Sequence, residues 1–255
     1  MTDTLETIRV VAARHGLNLV AALPVERYDA AVKSEVRAAR IAPAARSIVV
    51  IGNGGGAFWS AYRKRIEADP AWEARQNPLD DFTCDIIERD LAAPLRARGV
   101  RCTAVYPFTS AATTLNFVEL GKLAGLGGPS IIGVLVHPTY GPWIAFRAAL
   151  LLEEPLDAPD EALGFDPCPT CTARSCISTC PVGAVSFPNG WDVPACIAHR
   201  VENEVDCASR CHARVACVLG PEHRYPDDEL AYHHSRALRV MRPYYASLIK
   251  SGRLT

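Results

Sequence analysis

Cys168-Pro-Thr-Cys171-Thr-Ala-Arg-Ser-Cys176-Ile-Ser-Thr-Cys180-Pro181 is the stretch on which the reading of this chain turns. It has the form C-x2-C-x4-C-x3-C-P. Cys196, Cys207, Cys211 and Cys217 follow, so that eight of the ten cysteines fall between positions 168 and 217. A cuboidal iron–sulfur cluster needs several thiolates converging on one small polyanionic object. A tight loop brings three of them in, and the proline keeps an ordinary helix from continuing past the last. Eight thiolates fit two [4Fe-4S] clusters with none left over.

Clustered thiols also serve disulfides and zinc sites. Disulfides need an oxidising compartment, and the opening Met1-Thr-Asp-Thr has neither a charged n-region nor an apolar h-region, so no secretory signal is expected. A chain of 255 residues also buries a core without covalent staples. Two four-thiolate zinc sites are the serious alternative, because C-x2-C pairs suit tetrahedral zinc. The Cys-x3-Cys-Pro ending favours clusters, since two-cluster ferredoxins carry C-x2-C-x2-C-x3-C-P, with the fourth cysteine serving the other cluster. That interleaving would join Cys168, Cys171 and Cys176 to Cys217, and Cys180 to Cys196, Cys207 and Cys211. A sequential partition, first four and last four, is equally compatible with the spacing. His199 and His212 lie close enough in sequence to replace a thiolate, though eight cysteines make that unnecessary.

The length allows one or two domains. A formal charge of −1 gives no basic field for bulk nucleic-acid binding, and 49% apolar with 22% charged residues is ordinary for a globule. The longest apolar runs, at 131–136 and 148–152, are far short of a membrane span. Reduced cysteines without a targeting segment make the cytoplasm the expected location. Composition shifts divide the chain into an α/β domain over 1–160, a cysteine module over 161–222, and a C-terminal helix over 223–255 that returns to the first domain. The segment 153–166, with two prolines and an acidic bias, reads as the linker.

Along the first domain, Asp3 and Glu6 suggest a capping box for a helix over 4–15, with Leu5, Ile8 and Ala12 on one face. Strands are expected at 17–25, 47–51, 100–106, 131–136 and 143–152. Helices are expected at 30–40, 58–66, 80–98 with a kink at Pro94, and 115–126. The last two strands form a hairpin through His137-Pro-Thr-Tyr140-Gly141-Pro. Together these elements give an α/β layer sandwich. Gly52-Asn-Gly54-Gly55-Gly56-Ala57 matches G-x-G-x-x-A between a strand and a helix. No acidic residue ends a second strand about 20 residues on, so a nicotinamide dinucleotide is disfavoured against another large ligand. Arg147 on the last strand reads as a solvent-facing guanidinium by period-two alternation, with an anion contact in a cleft as the sharper reading. Cys84 and Cys102 read as small core residues, His137 as a structural histidine, and His233 and His234, on a helix over 228–247, as surface residues.

Two families resemble this chain. Asn116-Phe-Val-Glu-Leu-Gly-Lys-Leu-Ala124-Gly125-Leu-Gly127, followed by Gly133-Val-Leu-Val-His137-Pro and Gly141-Pro-Trp143, resembles epoxyqueuosine reductases, in which an A-G-L-G turn and a G-x-W hairpin precede a two-cluster ferredoxin module. The hairpin from Gly133 to Arg147, with Pro78-Leu-Asp-Asp81 and Arg224-Tyr-Pro-Asp-Asp-Glu-Leu-Ala-Tyr232, resembles the cobalamin-processing CblC family still more closely. The resemblance implies a nitroreductase-like sandwich holding a base-off corrinoid without a histidine on cobalt, and no D-x-H-x-x-G motif is present. It implies a corrin pocket lined by Gly52, Gly54, Gly55, Gly56, Gly125, Gly127, His137, Tyr140, Gly141 and Trp143. It also raises Arg147 to a catalytic candidate, because CblC proteins use an arginine at the matching place to hold glutathione above the ring.

Where epoxyqueuosine reductases carry an aspartate proton donor, this chain has Ser110-Ala-Ala-Thr-Thr-Leu115, and their appended tRNA-reading repeats have no counterpart before Thr255. The expectation is a cobalamin-processing or cobalamin-dependent iron–sulfur reductase, fed by an electron-donor protein of ferredoxin or flavodoxin type. An epoxyqueuosine-reductase-like enzyme, a two-cluster electron-transfer protein, and a flavin reductase, with flavin in place of the corrinoid, are the alternatives.

Overall fold

The computed structural model describes residues 3–109, 114–158, 164–203, 205 and 207–251. Backbone contacts divide it into two units, Met1–Gly128 with Ile144–Gly164, and Pro129–Trp143 with Phe165–Thr255.

In the first unit, α1 (Thr4–Arg14) starts at Asp3, whose carboxylate accepts the Leu5 N–H at 3.1 Å. Leu5, Ile8 and Ala12 are its buried stripe. Glu6 lies 3.7 Å from Arg9 and forms an exposed pair there. β1 (Leu19–Pro24) and α2 (Val25–Ala31) follow. The helix expected over 30–40 is broken at Val32, which is extended. Two single 3-10 turns replace it, because the Asp29 carboxylate accepts the Ala38 and Ala39 N–H groups at 2.6 and 3.2 Å and so offers the backbone a local alternative to the helix. β2 (Ser47–Gly54) enters α3 (Ala57–Ala68).

The long helix expected over 80–98 is α4 (Pro78–Asp85), a π-helical stretch Ile86–Ala92, and α5 (Ala93–Ala97). Pro94 brings no N–H, so the turn before it cannot keep the α pattern. The chain widens instead, with the Ala93 N–H donating to the Glu88 carbonyl five residues back. β3 (Cys102–Val105), α6 (Phe117–Leu123) and β4 (Ile144–Leu152) complete the unit. The Asn116 side chain caps α6 by accepting the Glu119 N–H at 3.1 Å.

The strands pair in the order β1-β2-β4-β3, every pair antiparallel. The glycine stretch therefore does join a strand to a helix, but not within the parallel crossover that a dinucleotide site uses. Ile48 to Ile51 and Ala148 to Leu152 are buried along the two central strands, each large side chain contributing about 1.5–3 kcal/mol. The β2–β4 register slips once. Ile51 faces Ala148 and Gly52 faces Phe146, leaving Arg147 as the extra residue of a bulge.

In the second unit, positions 131–136 do not form the expected strand. Gly133 sits at φ +77° with its α-carbon against the Trp191 ring, where a Cβ would lie 2.2 Å from the indole. That left-handed residue in mid-run diverts the chain out of the sheet. The hairpin shrinks to a single bridge between His137 and Gly141. Then come α7 (Ser175–Ser178), the two-residue strands β5 (Val185–Ser186) and β6 (Gly190–Trp191), α8 (Val193–Glu202), α9 (His212–Val215) and α10 (Asp227–Lys250). Asp192 caps α8, and three acidic residues open α10 at its positive end. The terminal helix, expected to return to the first domain, packs on α8 inside the second unit. Trp143, Tyr225 and Leu230 form a buried cluster there, the two rings meeting edge-on at 5.6 Å.

Candidate metal centres

The eight clustered cysteines all belong to the second unit and separate into two groups of four. Cys168, Cys171, Cys176 and Cys217 line one cavity of about 330 Å³. Cys180, Cys196, Cys207 and Cys211 line another of about 290 Å³. This grouping coincides with the interleaved partition and not with the sequential one. It arises because the loop after Cys168 closes on itself, the Cys171 N–H donating to the Cys168 carbonyl at 3.3 Å. Arg174, in the left-handed conformation at φ +42°, then turns the chain into α7, its Nε donating to the Cys171 carbonyl at 3.2 Å. α7 carries Cys176 toward the first cavity and ends as Cys180 reaches the second. The return through α9 repeats the exchange, with Cys211 before it and Cys217 after it.

Electrostatics follow the same grouping. Burial pushes the Cys176 thiol up, and Cys217, Cys168 and Cys171 push it further. Burial likewise raises Cys217, opposed by the N–H groups of Leu219 and Val218, which donate to its sulfur. Cys196 is raised first by burial and then by Cys211 and Cys180, while a Trp191 hydrogen bond and the Arg200 charge lower it. Such mutual repulsion among thiolates is relieved when a cationic core joins them. All eight thiols are free. Among the described residues, no group of three or more His, Cys, Asp or Glu side chains is arranged around a single metal ion. Four sulfur donors around a volume of this size fit a cluster.

Apolar walls complete both cavities, and they come from the stretch expected to be a strand. Ile131 and Val136 face the first, Val134 faces the second, and Ile132 lines both. The sequence pattern did not single out Arg200 and Arg214, which line the second cavity. A cation one helical turn after Cys196 was the available signal for Arg200. The Gly183 N–H, just after Cys180-Pro181, donates to the Cys180 carbonyl at 3.2 Å. His199, His212, His233 and His234 also line the second cavity, so the last two are half-buried and not free surface residues.

The residues that the resemblance assigned to a corrinoid lie in both units. In the first, Gly54 exchanges two hydrogen bonds with the Asn18 side chain, at 2.7 and 3.0 Å, and Gly55 takes φ +69° as the chain enters α3. Gly52 lies in the sheet, its α-carbon against the Ala145 carbonyl, and Gly125 and Gly127 follow α6. Arg147 is 8% exposed, which corrects the solvent-facing reading. The bulge turns it inward, its Nε donates to Asn53 Oδ1 at 2.8 Å, and its guanidinium lies 4.8 Å from the Phe58 ring centre. Cys84 and Cys102 are half-buried, and burial pushes both thiols up.

In the second unit, His137 Nδ1 accepts the Thr139 and Tyr140 N–H groups at 3.0 and 3.3 Å, so it caps its own turn. Gly141, at φ +55°, presses on Leu219, where a Cβ would lie 2.0 Å from the carbonyl oxygen. Trp143 is fully buried. The fit to a corrinoid is thus divided. A glycine turn offering backbone alone suits the face of a flat macrocycle, whereas His137, Gly141 and Trp143 shape the hairpin itself. The acid-free stretch at 110–115 falls largely outside the described residues.

No family model and no curated protein matches the sequence. Solved structures do match in fold. The B12-trafficking protein CblC of C. elegans aligns with TM-score 0.61 at 15% identity, over 94% of this chain and 95% of its own. Epoxyqueuosine reductase from Streptococcus thermophilus aligns at 0.59 and 12%, over 89% and 68%. A second epoxyqueuosine reductase structure, holding a tRNA-Tyr stem loop, aligns at 0.52 and 16%, over 89% and 67%. A reductive dehalogenase described with a mechanism for B12-dependent dehalogenation aligns at 0.55 and 21%, over 96% of this chain and 36% of its own. This chain therefore spans about a third of the dehalogenase. Both families that the motifs resembled are among these neighbours, and the shared property is the fold. Among the described residues no helix is long and apolar enough to cross a membrane.

Proposed function

We propose that this chain is an iron–sulfur oxidoreductase that binds base-off cobalamin and reduces it, to remove the upper ligand or to reduce a substrate at cobalt. The observation that carries the reading is the sorting of eight cysteines into two four-thiol cavities. The fold adds support, since its solved examples include a B12-trafficking protein and a B12-dependent dehalogenase.

Two [4Fe-4S] clusters would be held by Cys168, Cys171, Cys176 and Cys217, and by Cys180, Cys196, Cys207 and Cys211. When bound they supply single electrons at potentials that reach about −700 mV at the extreme, low enough for corrinoid reduction. The chain's part is to keep the sulfurs dry and to set their charge. Ile131, Ile132 and Val136 would present an apolar wall to the first cavity. The Val218 and Leu219 N–H groups spread the negative charge of Cys217. In the first unit, Gly55, Gly56, Gly125 and Gly127 would offer backbone to the corrin. Arg147, fixed by Asn53, would hold a thiolate or other anion there as the catalytic candidate. In the second unit, the Tyr140 ring packs on His223 at 4.7 Å between ring centres. A ferredoxin- or flavodoxin-type protein would deliver the electrons.

The test is anaerobic purification with iron and sulfide analysis, followed by titration with cobalamin. The reading expects about eight iron atoms per chain and a shift of the corrinoid spectrum to the base-off form. Clusters with no corrinoid binding, and tight flavin binding instead, would move the protein to the electron-transfer or flavin-reductase alternatives. Binding of a tRNA stem loop would restore the epoxyqueuosine-reductase-like reading. Zinc without sulfide would end the cluster reading.

A further inference from the structure

The two cysteine cavities are not electrostatically alike. The first is lined by one arginine, Arg174, which is partly exposed. The second is lined by Arg200 and Arg214, and Arg200 is only 7% exposed. Arg200 stands one turn after Cys196 on α8, so the two side chains share a helix face. α10 holds two of its nitrogens, Nη1 donating to Met241 Sδ at 2.9 Å and Nη2 to the His234 carbonyl at 3.0 Å. Its Nε–H is buried with no protein partner, and among the described residues no carboxylate pairs with the guanidinium. A buried, unpaired cation is strongly unfavourable unless an anion compensates it.

We propose that Arg200 is the charge-compensating residue of the second cavity, making the cluster held by Cys180, Cys196, Cys207 and Cys211 the easier of the two to reduce. This inference rests on the cluster reading given above. A four-thiolate cluster is net negative and gains one further negative charge when it accepts one electron from an external donor. A fixed positive charge beside it stabilises the reduced form more than the oxidised form, the more so where water is excluded. Arg214 adds to the field but is itself held over the Trp143 and Tyr225 rings, with Nε and Nη2 on the Pro142 carbonyl. Electron transfer within the pair then runs downhill from the Cys168 group to the Cys180 group.

The experiment is a redox titration of the purified holoprotein followed by electron paramagnetic resonance, on the wild type, Arg200→Gln, Arg200→Met, Arg200→Lys and Arg174→Gln. The wild type should titrate in two steps. Both neutral Arg200 variants should make reduction at the higher step about tenfold less favourable, a drop of about 59 mV for one electron, with the lower step within threefold of wild type. Arg200→Lys should hold the wild-type value, and Arg174→Gln should move only the lower step, and by less. Neither step moving, both moving together, or only the lower one moving in the Arg200 variants overturns the assignment. If the neutral variants lose half the iron while Arg200→Lys keeps it at the wild-type potential, the charge is required for the cluster to be held, which supports it. Loss in Arg200→Lys as well makes the role steric and overturns it. Wild-type protein without iron and sulfide overturns the cluster reading itself, and the iron analysis separates that failure from the others.

Discussion

Replacing cysteines in pairs tests the grouping more sharply than replacing them singly, because any single loss costs one cluster under either partition. Cys168 and Cys217 line the same cavity, while Cys168 and Cys180 line different ones. The double variant Cys168→Ala, Cys217→Ala should therefore lose one cluster and keep the other, falling from about eight iron atoms per chain to about four. The double variant Cys168→Ala, Cys180→Ala should damage both sites and fall toward zero, since a cluster left with three thiolates is bound far more weakly. Sequential grouping predicts the reverse for each pair. Iron and acid-labile sulfide per chain, measured on anaerobically reconstituted protein beside the visible charge-transfer absorbance, reads the difference as a factor of two or more. The reasoning is refuted if the Cys168–Cys217 pair strips both clusters while the Cys168–Cys180 pair leaves half the iron.

Gly141→Ala should cost about 3 kcal/mol, from about 1–2 for a left-handed alanine and about 1–3 for the overlap with Leu219. Gly99→Ala, at φ +85° in open space, should cost only the conformational part. Equal losses in urea denaturation would show that the Leu219 contact is unimportant. Tyr28→Phe removes a hydroxyl that donates to the Val36 carbonyl at 3.0 Å and accepts the Asn116 N–H at 2.7 Å, so about 1–3 kcal/mol should be lost. Burial pushes that phenol up to about 12. Wild type should accordingly lose stability between about pH 10 and pH 12, where the unfolded chain ionises first, and a variant retaining that component of the slope would contradict this. Burial, helped by His223, holds His137 below the usual histidine range. The unfolded chain then takes up the proton first, and stability should fall as pH drops below about 6.5. His137→Asn should flatten that fall in melts across pH 5–7. Arg147→Met strips Asn53 of a charged donor in a buried setting and should cost about 1.5–3 kcal/mol. The check is a double-mutant cycle with Asn53→Leu, whose coupling should be of that order.

What was legible in the sequence was local. Thiol spacing, the α1 stripe and the glycine entry into α3 depend on neighbours a few residues apart, and each stands in the structure where the pattern put it. What was not legible depended on distant partners. Ile131 to Val136 has the β-branched composition of a strand, yet Gly133 must yield to Trp191, nearly sixty positions on, and no periodicity encodes that. Arg147 follows alternation up to the bulge, and one unpaired residue is enough to reverse the face it occupies. The interleaved grouping was one of two readings until α7 and α9 gave each cysteine a direction. Of the residues that the resemblance assigned to a corrinoid, Trp143 and Gly141 carried a family motif whose visible duty here is packing.

The threading of the chain has a practical corollary. Pro129–Trp143 belongs with residues 165 onward, although the last strand of the sheet separates them in sequence. A fragment expressed from Phe165 would keep all eight clustered cysteines and yet lack Ile131, Ile132, Val134 and Val136, which wall the two cavities. The cysteine portion is thus not a detachable cassette. Transplanting it into another host protein would mean carrying the fifteen-residue insertion along, or supplying a substitute barrier from the recipient.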